Sequence, residues 1–402
     1  MRFLSSLPPL AFIGQLLLIQ HVAGFTVPSR RTKSMTKLMA ESGSMIDKIL
    51  NVNPFGDNKS EAPPSPNKFL PSSYDPSSDL NEFDPSPEGL IARAKMVIAS
   101  DLGVQNGNLL SSDFIWIGPF LDQPLNRVEY LAAGRFFDLR ASFPDLDYRA
   151  HDYRTDRVNP FTVRVTARAV GTMRGELRLR DQTLPPNGQK MFCPPEAISM
   201  TFDPNTGKVV KLCTGFTLDR LVGNTRGLCG VSAAATVAGE PPSEWEIYPA
   251  LTVLQRFVGR PAVQIGESKS FLAPFPETVM VQLAKGLLSS NLAAEDPSLL
   301  AKSFTFMTPT KGPIGKKQFL EDFAAEEFAG VEPELTHFRV DPYDPNRVWV
   351  DIRPLGPGFE GAPQAMSFTF DDDGFCTRMT SGAIMDPSLG KSSWGFVHPF
   401  VT

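Results

Sequence analysis

The chain is short of the groups from which metal and nucleophile sites are usually built. Its 402 residues include only four His and four Cys. His21 falls in the leading segment, and His151, His337 and His398 are scattered. Cys193, Cys213, Cys229 and Cys376 form no C-x-x-C pair, so no metal is expected. Four cysteines are also too few for a dense disulfide framework, and buried free thiols are the better expectation, although Cys193 and Cys213 flank one hairpin region. Positive charge is not in surplus: 39 Lys+Arg stand against 44 Asp+Glu, a net charge of −5, which argues against nucleic acid as a partner. No G-x-S-x-G, P-loop or G-x-G-x-x-G occurs in a strand–turn–helix context, and no cofactor is expected. Long apolar runs are missing too. The stretch ending in Leu16-Leu17-Leu18-Ile19 is interrupted by Gly14 and Gln15, so no stable transmembrane span is expected in the mature chain.

What the chain does have is 42% hydrophobic residues, enough for packed cores, with 37 Pro and 30 Phe against 6 Tyr and 4 Trp. Residues 1–24 have the layout of a secretory signal peptide: Met1-Arg2, a short apolar stretch, then Ala23-Gly24. Residues 25–40 follow with Arg30, Arg31, Lys33 and Lys37, hydroxyl side chains and no acid, the composition of a transit peptide. The run Val22-Ala23-Gly24-Phe25-Thr26-Val27-Pro28 resembles the bipartite presequence of algae with complex plastids. That resemblance implies a plastid location; plain secretion with a basic arm is the alternative. Residues 41–83 are proline-rich and read as a linker, since each Pro fixes φ and removes a donor.

The remainder is a repeat. Ser86-Pro87-Glu88 is a helix start, with Leu90, Ile91, Ala94, Val97 and Ile98 at helical spacing behind it. Pro276-Glu277 with Val279, Met280, Leu283 and Leu287 repeats the pattern, matching Pro87 to Pro276 and Leu110 to Leu299. Phe114-Ile115-Trp116 then matches Phe304-Thr305-Phe306, Tyr130-Leu131 matches Phe319-Leu320, and Val163 to Arg168 matches Val348 to Arg353. Thr201-Phe202-Asp203 matches Thr369-Phe370-Asp371, and Gly215 and Asp219 match Gly382 and Asp386. Matches kept in order across a whole unit mean an internal duplication, with residues 171–193 shortened in the second copy. Each copy reads helix, short strand, helix, then several strands. This predicts an α+β fold, a curved antiparallel sheet wrapped on helices. The expected domains are 84–235 and 274–395, joined through 236–273, which carries one amphipathic helix over Ile247 to Val258, and ending in an apolar tail, 396–402.

The first copy resembles a SnoaL-like polyketide-cyclase domain of the NTF2-like superfamily. The resemblance is carried by Ala141 to Tyr148, Val165 to Gly175, Pro194 to Phe202, Gly207 to Val210, Asp219 and Leu228-Cys229-Gly230. It implies two tandem cone-shaped NTF2-like domains. It also implies one pocket carboxylate working as general acid/base, which by position is Asp219. Where such domains often carry a His after Gly-Thr, this chain has Met173. The candidate ligand-binding residues are Trp116, Tyr130, Phe136, Arg168, Met173, Arg353 and Asp386: aromatics for a flat apolar ligand, and arginines whose fork of donors suits an anionic group. Their competing readings are core aromatics, strand arginines paired with acids, and aspartates that cap turns. Two functions follow as expectations. One is binding of an apolar small molecule or a plastid protein partner. The other is an isomerase, cyclase or dehydratase using Asp219.

Overall fold

The computed structural model describes residues 83–119, 124–179, 182–241, 273–308, 312–322, 332–356, 359–360 and 363–386. The presequence, the linker before residue 83, the helix expected at 247–258 and the tail lie outside the described residues. Among the described residues, no helix is long and apolar enough to cross a membrane.

The first helix, α1 (Pro87–Ala99), begins as its residue types require. Ser86 Oγ accepts from the Gly89 N–H at 3.1 Å, Pro87 opens the helix and Glu88 stands in its first turn. Its buried face is Leu90, Ala94, Val97 and Ile98. Strands β1 (Leu110–Ile117) and β2 (Leu125–Asn126) follow, then α2 (Arg127–Phe137) and α3 (Leu139–Ser142). Asn126 and Glu129 close a reciprocal capping box at the start of α2. Next come β3 (His151–Thr155) and β4 (Thr162–Ala167), then the short β5 (Val170–Thr172), β6 (Leu177–Leu179), β7 (Gln182–Leu184) and β8 (Lys190–Phe192). The copy closes with β9 (Glu196–Phe202), β10 (Val209–Thr217) and α4 (Gly230–Val237). The second copy runs α5 (Glu277–Ser289), β11 (Leu300–Met307), β12 (Ile314–Gly315), α6 (Lys316–Asp322), β13 (Glu332–Asp341), β14 (Asp344–Gly356), β15 (Phe359–Glu360), β16 (Gln364–Phe370) and β17 (Cys376–Ile384).

The strand orders are the same. The first sheet is β2-β1-β10-β9-β4-β3 and the second is β12-β11-β17-β16-β14-β13, with β15 beside β14. Register repeats residue by residue. Trp116 stands opposite Leu212, Leu212 opposite Met200 and Met200 opposite Val163. In the second copy Phe306, Met379, Phe368 and Val348 make the same chain of partners. Each half therefore has the same helix-then-sheet layout, and the halves are tandem copies. The extra hairpins β5–β8 and β6–β7 fill the stretch that the second copy shortens.

Two details depart from expectation. The sheets are mixed rather than wholly antiparallel, because β1 pairs parallel with β10 and β11 with β17. These strands stand at opposite ends of each copy, so the intervening elements form the long crossover that parallel pairing needs. The alignment of the opening helices also shifts by one residue. Leu90 N–H donates to Ser86 O at 2.9 Å, and Met280 N–H donates to Pro276 O at 3.0 Å. Pro276 thus stands where Ser86 does, and Leu300, not Leu299, answers Leu110. The Pro-Glu pair that both copies share stands one residue out of step between them, because proline suits either side of a helix start.

Alternation divides each sheet into two faces. In the second copy Val348, Val350, Ile352, Met366, Phe368 and Phe370 turn inward to Met280, Ala284 and Leu287 of α5. The intervening residues turn toward the other copy. Ala197 and Leu218 of the first copy share one apolar cluster with Trp349, Ala365, Ala383 and Met385 of the second. The two copies pack sheet against sheet.

Candidate functional site

The helix-covered side of the first sheet holds an aromatic group joined to ionisable side chains. Tyr130 on α2 meets Phe114 and Trp116 on β1, with ring centroids at 5.1 and 5.5 Å. Trp116 donates its indole N–H to Thr214 Oγ1 at 2.8 Å, and Tyr130 donates to Leu102 O at 3.0 Å. Beside Tyr130 lies Asp101, which leaves α1 in the left-handed region at φ 55. Tyr148 donates to Asp101 Oδ1 at 2.6 Å, and Arg140 Nε lies 3.8 Å from the same oxygen. Burial raises the Asp101 carboxyl above its ordinary range, against the Tyr148 hydrogen bond and the Arg140 charge, which pull it down. Burial also raises Tyr148, reinforced by the negative charge of Asp101.

Tyr148 packs against a cluster that contains Met173, Phe143, Cys193 and Cys229. At its margin is Glu196, on the first residue of β9 and 5% exposed. The Cys229 thiol and the Gly215 N–H donate to its carboxylate, yet burial dominates and lifts its pKa to about 7. Thr217 Oγ1 lies 3.7 Å from Cys229 Sγ. A buried carboxyl half-protonated near neutrality can both accept and return a proton.

The duplication supplies an internal control. Phe304, Phe306 and Phe319 reproduce the aromatic group, with centroids at 5.1 and 4.8 Å. The ionisable members are changed. Asn291, at φ 50, takes the place of Asp101; Phe319 takes that of Tyr130. Gln364 takes that of Glu196, since Glu196 pairs with Ala167 and Thr217 while Gln364 pairs with the equivalent Ile352 and Ile384. Three ionisable side chains of the first copy have non-ionisable, similarly shaped counterparts in the second.

The residues singled out from sequence fall into three places. Trp116 and Tyr130 come together in the aromatic group. Met173 is fully buried in the cluster beside Tyr148, whereas Phe136 is half-buried and meets Phe137 edge-on at 5.2 Å. The charged residues lie elsewhere, on the faces the copies turn to each other. Asp219 is 1% exposed, with its carboxylate 3.0 Å from Arg347 and 3.2 Å from Arg378, and it accepts the Leu221 N–H at 3.0 Å. This makes it a cross-copy ion-pair partner and a turn cap, and the sheet separates its face from the aromatic group. Asp386 meets Lys211 at 3.2 Å and Ser199 at 3.1 Å. Arg168 meets Asp341 at 3.4 Å and lies over the Tyr343 ring. Arg353 is half-buried in β14, opposite Glu334 in the ladder.

Glu196 and Asp101 were missed from sequence. A buried acid on a strand carries no local signature, and Asp101 reads as an ordinary helix end. The aligned repeat held the missing signal, because the Glu-to-Gln exchange follows once Thr201 and Thr369 are matched. Among the described residues no group of three metal-ligating side chains occurs.

No family model matches the chain, and no curated protein matches it. Solved structures similar to it include a candidate SnoaL-like polyketide cyclase from Jannaschia sp. CCS1, at 18% identity and TM-score 0.28, covering 40% of this chain and 99% of that one. AclR, a candidate hydroxylase from Streptomyces galilaeus, matches at 17% identity and TM-score 0.29, covering 39% and 85%. A protein with a ketosteroid isomerase-like fold from Catenulispora acidiphila, solved with trimethylamine, matches at 10% identity and TM-score 0.25, covering 40% and 98%.

Proposed function

We propose that the protein is a plastid-targeted tandem NTF2-like protein whose first copy binds an apolar small molecule on the helix-covered side of its sheet, and whose second copy is the structural partner of the first. One observation carries this: Asp101, Tyr130 and Glu196 of the first copy are replaced by Asn291, Phe319 and Gln364 at the equivalent positions of the second. A core needs only shape, and the second copy keeps the shape. Ionisable groups inside an apolar shell are costly and are retained where they meet something polar on a ligand. The phenyl and indole rings around Tyr130 favour a flat apolar body, and Asp101, Tyr148 and Glu196 favour a small polar end.

Proton transfer is the second reading, favoured by the Glu196 carboxyl near pH 7. In it Glu196, rather than Asp219, is the acid/base of an isomerase, cyclase or dehydratase. Extraction and mass spectrometry of protein purified from the plastid test the binding reading. A bound small molecule is expected in the native chain and in Phe306→Leu, and its loss is expected in Trp116→Leu. Equal loss in both variants, or an empty native protein, defeats it. Retained binding with an unconverted ligand in Glu196→Gln would favour proton transfer.

A further inference from the structure

The contacts between the copies relate equivalent residues to one another. Asp152 and His337 occupy the same place in their copies, each at positive φ (60 and 55) in a matching irregularity of β3 and β13, and they hydrogen-bond to each other. Arg154 and Arg339 are likewise equivalent, standing opposite Arg164 and Trp349 in register. Arg154 meets Asp152 and Asp351 at 2.7 Å each, and Arg339 meets Asp351 at 2.8 Å and also Asp152. These four side chains form a closed ring of alternating charge, and each is only about a tenth exposed. Farther out, Asp219 reaches Arg378 while its equivalent Asp386 reaches Lys211, the equivalent of Arg378. Contacts that exchange in this way are the signature of an isologous, twofold interface.

We propose that the copies pair about a local twofold axis running between Asp152 and His337, and that each copy is built to take the other copy, not its own kind from a second chain, as its partner. This goes beyond the ligand reading and does not rest on it. Pairing of two first copies would set Asp152 against Asp152 and leave the arginines without Asp351, whose equivalent is Thr166. It would also put Arg164 where Trp349 now fills the shared apolar cluster. Pairing of two second copies would set His337 against His337 and crowd two Trp349 side chains into that cluster. Only the mixed pair matches acid to base at the axis and one tryptophan to the space available.

The test uses the full chain with a protease site placed between residues 242 and 272. After cleavage, sedimentation is expected to show the two halves as one particle of one copy each. His337→Asp, which brings another carboxylate onto the ring, is expected to weaken their association at least tenfold. The exchange Asp152→His with His337→Asp is expected to restore it, and circular dichroism checks that each variant stays folded. Cleaved native halves that separate, or that sort into like-with-like dimers, overturn the proposal. So does a His337→Asp protein that holds together as tightly as the native one, or an exchange variant that fails to recover.

Discussion

Glu196 shows how a single buried carboxyl sets a pH dependence. Its pKa is raised from 4.5 to about 7, with burial the leading cause. Between those values the unfolded chain has released a proton that the folded chain retains. Its contribution is therefore most favourable below about pH 4.5 and is lost as pH rises through 7. Glu196→Gln stays neutral throughout, and Gln364 shows that an amide suits the place. Relative to the native chain, the variant is expected to gain up to about 3 kcal/mol between pH 5 and pH 8. Urea midpoints at the two pH values measure this; an equal shift at both would mean that Glu196 has the same pKa folded as unfolded. Asp219 belongs at this scale as well. Asp219→Asn leaves Arg347 and Arg378 facing a neutral amide in a dry interface, a loss of about 3–5 kcal/mol. An unchanged urea midpoint with ligand turnover abolished would instead return Asp219 to the role its motif position implies. Its residue type was legible in the sequence and its partners were not, since both arginines belong to the other copy.

At the scale of elements the sequence was informative wherever a local rule decides. Ser86-Pro87-Glu88 opens a helix, alternation marks β4 and β14, and Asp203 to Gly207 turns the chain between β9 and β10. Leu125 and Asn126 pair with Trp116 and Ile115 as β2, and the helix behind them begins at Arg127. Asn126 thus serves two elements: it ends the strand and caps α2 by accepting from the Val128 and Glu129 N–H groups at 2.9 and 3.1 Å. Asn126→Ala is expected to lower stability by about 1 kcal/mol, within the 0.5–2 kcal/mol range of lost caps. The glycine bulges were not legible. Gly215 and Gly382, at φ 81 and 79, interrupt β10 and β17 at matching points, and only the paired register shows why both positions need the left-handed region.

At the scale of the whole molecule, duplication was visible in the order of matches, while the way the copies meet was not. The inward face of each strand is apolar and announces a core. The opposite face mixes Arg164, Thr166 and Ser199 with Ala197, which reads as solvent-facing until a second sheet covers it. That cover changes what unfolding means. Trp349 is 1% exposed, donates its indole N–H to Asp341 at 2.9 Å, and joins residues of both copies in one apolar cluster. With this cluster and the Arg–Asp ring in place, neither copy loses structure without exposing the face of its neighbour, so calorimetry of the native chain is expected to show a single transition. Trp349→Ala removes the shared centre and leaves Asp341 without its indole donor. Losses of about 3–5 kcal/mol attend such truncations. Because the lost contacts lie between the copies more than within either, the variant is expected to melt in two steps, the first copy separating from the second. A single step displaced to lower temperature would mean that the cluster stabilises the second copy alone and that the coupling between halves resides in the ring of charges.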